Sequence, residues 1–252
     1  MITLTVLGCD GSYAGPSGEV AGHGASGAAS GYLVRSWDSG TSLWLDAGPG
    51  TFANLQRFHD PLRLSAVVLT HEHLDHFSDI EGLVTAARWV LEFERDPIPV
   101  FASPGIRTLL VQEIDGIFDW REVGDGDEAT VGDLRISFSR TDHPPVTHAV
   151  RVEGAGGALG YSADSGPGWS LEALGPGLDL ALCEATYTQD FQGTAGHMTG
   201  REAGSTAKAA SARRLVITHR WPTVSAREVL VEAEEAFGGP VAQAAVGLGF
   251  SV

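Results

Sequence analysis

The segment Thr70-His71-Glu72-His73-Leu74-Asp75-His76 places four metal-binding side chains within six residues. Imidazole and carboxylate are, beside thiolate, the groups that zinc prefers. The segment follows the apolar run Val67-Val68-Leu69. A turn there can aim His71 and His73 at one ion, and Asp75 and His76 at another. A polar loop with chance histidines is a poor account, since the chain has nine histidines in 252 residues and three of them fall in these six. Three more candidates end apolar stretches in the same way. They are His143 in Thr-Asp-His-Pro-Pro, Asp164 in Tyr-Ser-Ala-Asp-Ser-Gly, and His219 after Leu215–Thr218. Taken singly, each reads as a hydrogen-bonded structural histidine or an ordinary Asp-Ser-Gly turn.

Rigid elements must hold such side chains. Short apolar runs predict strands over 2–7, 31–35, 42–46, 65–69, 97–101, 134–140, 147–153, 157–161, 178–183, 214–218 and 241–246. Helical spacing covers 50–59, 79–92, 104–112, 200–211 and 226–237. Many short strands with interspersed helices imply packed sheets covered by helices. Ser78 with Glu81, Thr199 with Glu202 and Ser225 with Glu228 fit the capping box that opens a helix. Residues 10–31 are rich in glycine and read as a long loop, suited to a lid or a plain surface segment. Val67-Val-Leu-Thr-His71 is echoed by Leu215-Val-Ile-Thr-His219, which hints at two similar halves.

Length and composition fit one globular domain, 1–252, with 43% apolar and 19% charged residues excluding a disordered chain. The net charge is −16, with one lysine, Lys208, and scattered arginines. Extended nucleic acid is therefore a disfavoured partner, because binding it needs a basic footprint. No run reaches the roughly 20 apolar residues of a membrane-spanning helix. The start lacks a signal-peptide pattern, and Cys9 and Cys183 allow at most one disulfide. A reduced cytoplasm is the expected compartment, with no membrane partner. Trp37, Trp44, Trp89 and Trp120 are expected in the core rather than on a dimer surface.

His-x-His-x-Asp-His followed by a later His, an Asp and a final His resembles the metallo-β-lactamase superfamily, in order, from Gly8 to about Gly247. The resemblance implies an α/β fold, an αββα sandwich of two packed mixed sheets flanked by helices, with the site at one edge. Within it, the chain resembles the ribonuclease Z-like branch. Asp164 stands where classical lactamases place a cysteine, Leu182-Cys-Glu-Ala-Thr-Tyr187 resembles the branch's Glu-Ala-Thr motif, and Gly196-His-Met-Thr199 resembles its His-x-Thr loop. The last motif departs, reading Ile-Thr-His-Arg-Trp-Pro. The resemblance then implies His71, His73 and His143 on a first metal, Asp75, His76 and His219 on a second, and Asp164 between them. Two divalent ions are implied, zinc foremost, with manganese or iron able to use the same donors. Such a pair lowers the pKa of bound water to about 7 and clamps an in-line displacement. Asp75 would orient the metal-bound hydroxide, and His197, held by Glu184, would protonate the leaving oxygen.

The branch resemblance implies phosphodiester hydrolysis. Ribonuclease Z usually carries an arm for tRNA between the third and fourth metal motifs. Here His143 and Asp164 are 21 positions apart and two strands fill the stretch, leaving no room for it. The chain therefore resembles compact bacterial cyclic-nucleotide phosphodiesterases, with 3′,5′-cyclic AMP as the expected small phosphodiester. A tRNA 3′-processing endonuclease and a lactonase or ester hydrolase on the same fold are the alternatives. Tyr13 and His23 read first as plain loop residues and second as base contacts, Arg220 and Trp221 are candidate pocket residues, His148 faces either the cleft or the core, and the family resemblance suggests a homodimer.

Overall fold

The computed structural model describes residues 1–15, 27–90, 93–193 and 196–252. Two seven-stranded sheets pack face to face. The first runs β14 (Gly249–Ser251), β1 (Ile2–Gly8), β2 (Gly31–Ser36), β3 (Ser42–Leu45), β4 (Ala66–Leu69), β5 (Ile98–Ala102) and β6 (Phe118–Glu122). The second runs β13 (Val241–Gln243), β12 (Leu215–Thr218), β11 (Leu180–Glu184), β10 (Gly157–Tyr161), β9 (His148–Gly154), β8 (Leu134–Arg140) and β7 (Glu128–Val131). The sequence echo is topological as well. In each sheet, antiparallel strands lead into a parallel set, β3 to β6 in one and β10 to β13 in the other.

Every residue of β4, β11 and β12 is buried, as central strands covered on both faces must be. Leu4, Val34, Leu45 and Val68 meet Ile136, Val152, Leu159 and Leu182 between the sheets. Helices α1 (Thr51–Phe58), α3 (Ile80–Trp89) and α4 (Ile106–Leu109) cover the outer face of the first sheet, around Trp44 and Leu83. Helices α5 (Gly200–Ala209) and α6 (Ala226–Phe237) cover the second, with Met198, Ala203 and Val229 packed on Cys183 and Ile217. The parallel strands of each sheet all end on one side. That edge is where α/β folds place ligands, because the loops there leave adjacent strand ends.

Several expectations need correction. Strands β6, β7 and β14 were not expected; β6 reads Phe-Asp-Trp-Arg-Glu, mostly exposed, the charged pattern that protects a sheet edge. The helix expected over 104–112 shrinks to Ile106–Leu109. Ser78 caps no helix start. It closes the one-turn helix α2 (Leu74–Phe77), α3 begins after Asp79, and the Glu81 carboxylate accepts from the Val111 N–H instead. Thr199 and Glu202 do form the full capping box, and Ser225 accepts from the Glu228 N–H. Trp44 is fully buried, whereas Trp37 and Trp89 are 55% and 76% exposed, so the core role fails for these two. Cys9 and Cys183 are free thiols, and burial pushes Cys9 up to about 12. Among the described residues no helix is long and apolar enough to cross a membrane.

Candidate metal centre

Each candidate donor leaves the carboxyl end of a strand. Just beyond β4 stand His71 and His73, with Asp75 and His76 on the following turn α2. His143 follows β8, Asp164 follows β10, and His219 follows β12. Their donor atoms form two sets. In the first, His73 Nδ1 lies 3.1 Å from His71 Nε2 and 3.2 Å from His143 Nε2. Asp164 Oδ2 is 3.5 Å and 3.8 Å from those same two Nε2 atoms. In the second, His76 Nε2 lies 3.2 Å from His219 Nε2, and Asp75 Oδ2 lies 3.6 Å and 3.4 Å from the two. Asp164 Oδ1 is 3.2 Å from His76 Nε2 and 3.3 Å from His219 Nε2. The two oxygens of one carboxylate thus face different sets.

The donors fit divalent cations. Zinc with ligands at about 2.0–2.1 Å in a tetrahedron has donor–donor edges of about 3.3–3.4 Å, and the spacings above straddle that value. Asp164 Oδ1 is buried and accepts no hydrogen bond, an orphan that a cation would satisfy. Four of the histidines, His71, His76, His143 and His219, are also held as ligands are, with the far nitrogen engaged. His71 Nδ1–H donates to Thr70 Oγ1 (3.1 Å), and His143 Nδ1–H to the Gly196 carbonyl (2.6 Å).

Electrostatics agree for the first set. Burial, helped by His76, pushes His71 down to about 3, and burial also lowers His73 and His143, so the first set presents neutral lone pairs. For Asp164, burial acts upward but His219, His76 and His71 outweigh it, holding the carboxyl well below its ordinary range. Asp75 is lowered likewise: burial opposes ionisation, and His76 and His219 overcome it. His76 goes the other way, since burial is outweighed by Asp164, Asp75 and Asp46.

Beside these sets, His197 Nδ1–H donates to Glu184 Oε1 at 3.1 Å and lies 3.9 Å from Asp164 Oδ2. Glu184 is fully buried; its carboxylate also accepts from the Ser165 N–H (2.6 Å), the Met198 N–H (3.1 Å) and the Thr186 hydroxyl (2.7 Å). Against the desolvation that lowers it, Glu184 raises His197 to about 9. All nine side chains singled out from the sequence therefore meet at one edge.

Sequence reasoning missed their supports. Asp46, at the end of β3, accepts from His76 Nδ1–H (2.7 Å), Tyr161 OH (2.8 Å) and the Thr70 hydroxyl (2.9 Å). Its signal was available, an aspartate ending a strand as the other candidates do. Asp46→Asn would put an amide against the His76 N–H, and zinc affinity is expected to fall about 10–100-fold in competition with a chromophoric chelator. Asp142 takes the Gly166 and Gly168 N–H groups (2.6 and 2.8 Å), tying the His143 loop to the Asp164 loop. The Ser12 N–H caps Asp75 Oδ2 at 2.7 Å. Among the described residues, the non-glycines with positive φ are Ser12 (64°), Asp46 (56°), Ala163 (51°), Ser211 (53°) and His219 (56°), and all but Ser211 belong to this edge.

The remaining candidates fall outside it or outside view. Arg220 turns its guanidinium onto the Trp221 and Val224 carbonyls. Trp221 packs edge-on against Tyr187, 4.9 Å between centroids, on the His197 side. His148 is buried with its Nδ1 on Ser103 Oγ (2.7 Å). Tyr13 is half exposed. His23 and residues 16–26 of the glycine-rich loop lie outside the described residues.

Known proteins resemble this chain in sequence and fold. An uncharacterised protein of Mycobacterium leprae is 34% identical over 252 residues, covering 95% of this chain and 85% of its own. The probable metallo-hydrolase YhfI of Bacillus subtilis is 31% identical, covering 94% and 95%. Its crystal structure superimposes with a TM-score of 0.87 over 100% of this chain and 99% of that one, at 27% identity. A ribonuclease Z of Mycolicibacterium paratuberculosis is 29% identical over 196 residues, 65% of this chain and 69% of that one. The family described as "Beta-lactamase superfamily domain" matches residues 41–220, which carry every donor named above. The chain therefore belongs to the metallo-β-lactamase superfamily, has ribonuclease Z-like relatives, and is a metal-dependent hydrolase.

Proposed function

We propose that this hydrolase acts on small phosphodiesters, 3′,5′-cyclic AMP foremost, with two divalent cations, zinc in the first place. In this reading His71, His73 and His143 hold one cation, Asp75, His76 and His219 the other, and Asp164 is shared. When bound, the cations supply Lewis acidity and a nucleophilic water near neutral pH. The observation that carries the proposal is His197, braced by Glu184 beside the shared carboxylate. The alkoxide leaving a phosphodiester needs a proton, and a histidine fixed by its Nδ1–H keeps Nε2 for delivering one. Asp75, steadied by the Ser12 N–H, orients the attacking water.

Size and charge support a small substrate. The stretch between His143 and Asp164 is taken up by the antiparallel hairpin of β9 and β10. A chain with a net charge of −16 has little to offer the backbone of an extended RNA. The test is turnover of cyclic AMP by zinc- or manganese-loaded protein, read by chromatography beside a chelator-treated control. Formation of 5′-AMP that the chelator abolishes is the expected result. No turnover with two cations bound would overturn the cyclic-AMP assignment, and the same preparation offered a lactone and a precursor tRNA would show which alternative replaces it.

A further inference from the structure

Thr186 is fully buried one residue beyond the Glu184-Ala185 pair, and its hydroxyl touches both parts of the site. Its Oγ1 lies 2.7 Å from Glu184 Oε2, 2.9 Å from His219 Nδ1 and 3.0 Å from the His219 carbonyl. A hydroxyl has one proton to give and two lone pairs to receive. The carboxylate is the nearest and only charged acceptor, so the proton goes to Glu184 and the charge strengthens the bond. Oγ1 then accepts from His219, which places that ring's proton on Nδ1. The Nε2 lone pair is left facing His76 Nε2 at 3.2 Å and Asp164 Oδ1 at 3.3 Å.

We infer that Thr186 is a positioning residue, a hydroxyl relay by which the one carboxylate of Glu184 fixes both His197 and the metal-facing tautomer of His219. The inference rests on the two-cation reading above. It distinguishes His219 from His76, whose Nδ1–H meets a carboxylate, Asp46, directly. It also gives Glu184 two duties. Oε1 holds His197, Oε2 reaches His219 through Thr186, and the two backbone N–H groups of Ser165 and Met198 keep the carboxylate from turning. A valine at 186 matches the shape of threonine but lacks the relay, so the His219 ring loses its orientation. A serine keeps the relay and lacks only a methyl group.

The experiment measures zinc binding by the full chain through competition with a chromophoric chelator, for wild type, Thr186→Val and Thr186→Ser, with circular dichroism confirming that each is folded. Wild type is expected to bind two zinc ions. Thr186→Val should weaken the weaker-held ion about 10–100-fold, the range for losing a hydrogen bond behind a metal-bound histidine. Thr186→Ser should stay within about threefold of wild type. In the zinc-free protein, long-range ¹H–¹⁵N spectra should show His219 protonated at Nδ1 in wild type and Thr186→Ser, and a tautomer mixture in Thr186→Val. Should Thr186→Val not fold, the Nδ1 proton of His219 in wild type and Thr186→Ser decides the matter, and its absence overturns the relay. Wild-type affinity for both ions in a folded Thr186→Val, or a Thr186→Ser as weak as the valine variant, also overturns it while leaving the two-cation reading intact. A wild type that binds no zinc overturns both.

Discussion

Asp164→Asn is expected to strip at least one zinc ion from the protein and to lower phosphodiester turnover about a thousandfold or more. The two carboxylate oxygens face different donor sets at 3.2–3.8 Å, so replacing one oxygen removes a donor from one of the sets. Asparagine matches the volume, but its amide nitrogen has no lone pair for a cation. It also brings N–H groups against histidine nitrogens that should point lone pairs the same way. A two-cation clamp supplies several kcal/mol of transition-state stabilisation, and about 1.4 kcal/mol is a factor of ten in rate. Zinc content after dialysis and turnover under saturating substrate are the two readings. A variant that keeps both ions and turns over within about tenfold of wild type would show that Asp164 is not shared.

The second large effect concerns the leaving group. His197→Ala should lower kcat for cyclic AMP by about 10²–10⁴-fold, the usual contribution of a positioned general acid. A p-nitrophenyl diester leaves as a stable phenolate and needs no such proton. The same variant should therefore lose no more than about tenfold on that substrate, with zinc content unchanged. Equal losses on both substrates would assign His197 to binding or orientation and remove the acid from the mechanism. The ring packs at 4.9 Å from His143 and 5.3 Å from His219, so an unchanged zinc content is needed to read the result.

Much of the site was legible because its chemistry is concentrated. Three histidines and an aspartate in six residues carry their meaning in their spacing, and the later donors share a common position after an apolar strand. Asp46 showed its place at a strand end but not its partners, and Thr186 showed neither, for the opposite reason. A single aspartate in Leu-Asp-Ala-Gly or a threonine in Glu-Ala-Thr touches the donors only through distant residues, 30 positions away for Asp46 and His76 and 33 for Thr186 and His219. The inner strands of the two sheets could be read from their apolar runs. The edge strands β6 and β7 could not, since the charges that keep an edge from pairing erase the pattern of β6, and β7 is only four residues long with one buried. Ser78 and Glu81 have the capping-box spacing, yet the preceding turn α2, bent to present Asp75 and His76, takes up Ser78 first.

The left-handed residues at the metal edge carry a consequence for heat resistance. Ser12, Asp46, Ala163 and His219 each hold a backbone conformation that costs a residue with a side chain about 1–2 kcal/mol. At Asp46 and His219 the side chain cannot be surrendered to glycine without losing the group that does the work. Natural selection for a sturdier molecule is therefore barred from these positions, and so is laboratory evolution screened on activity. Gains must accumulate in the helical layers and at the sheet margins, where no backbone is bent to serve catalysis. A screen that scores only thermal survival would drift toward relaxed, inactive edges, and pairing it with an activity screen would hold the bend in place.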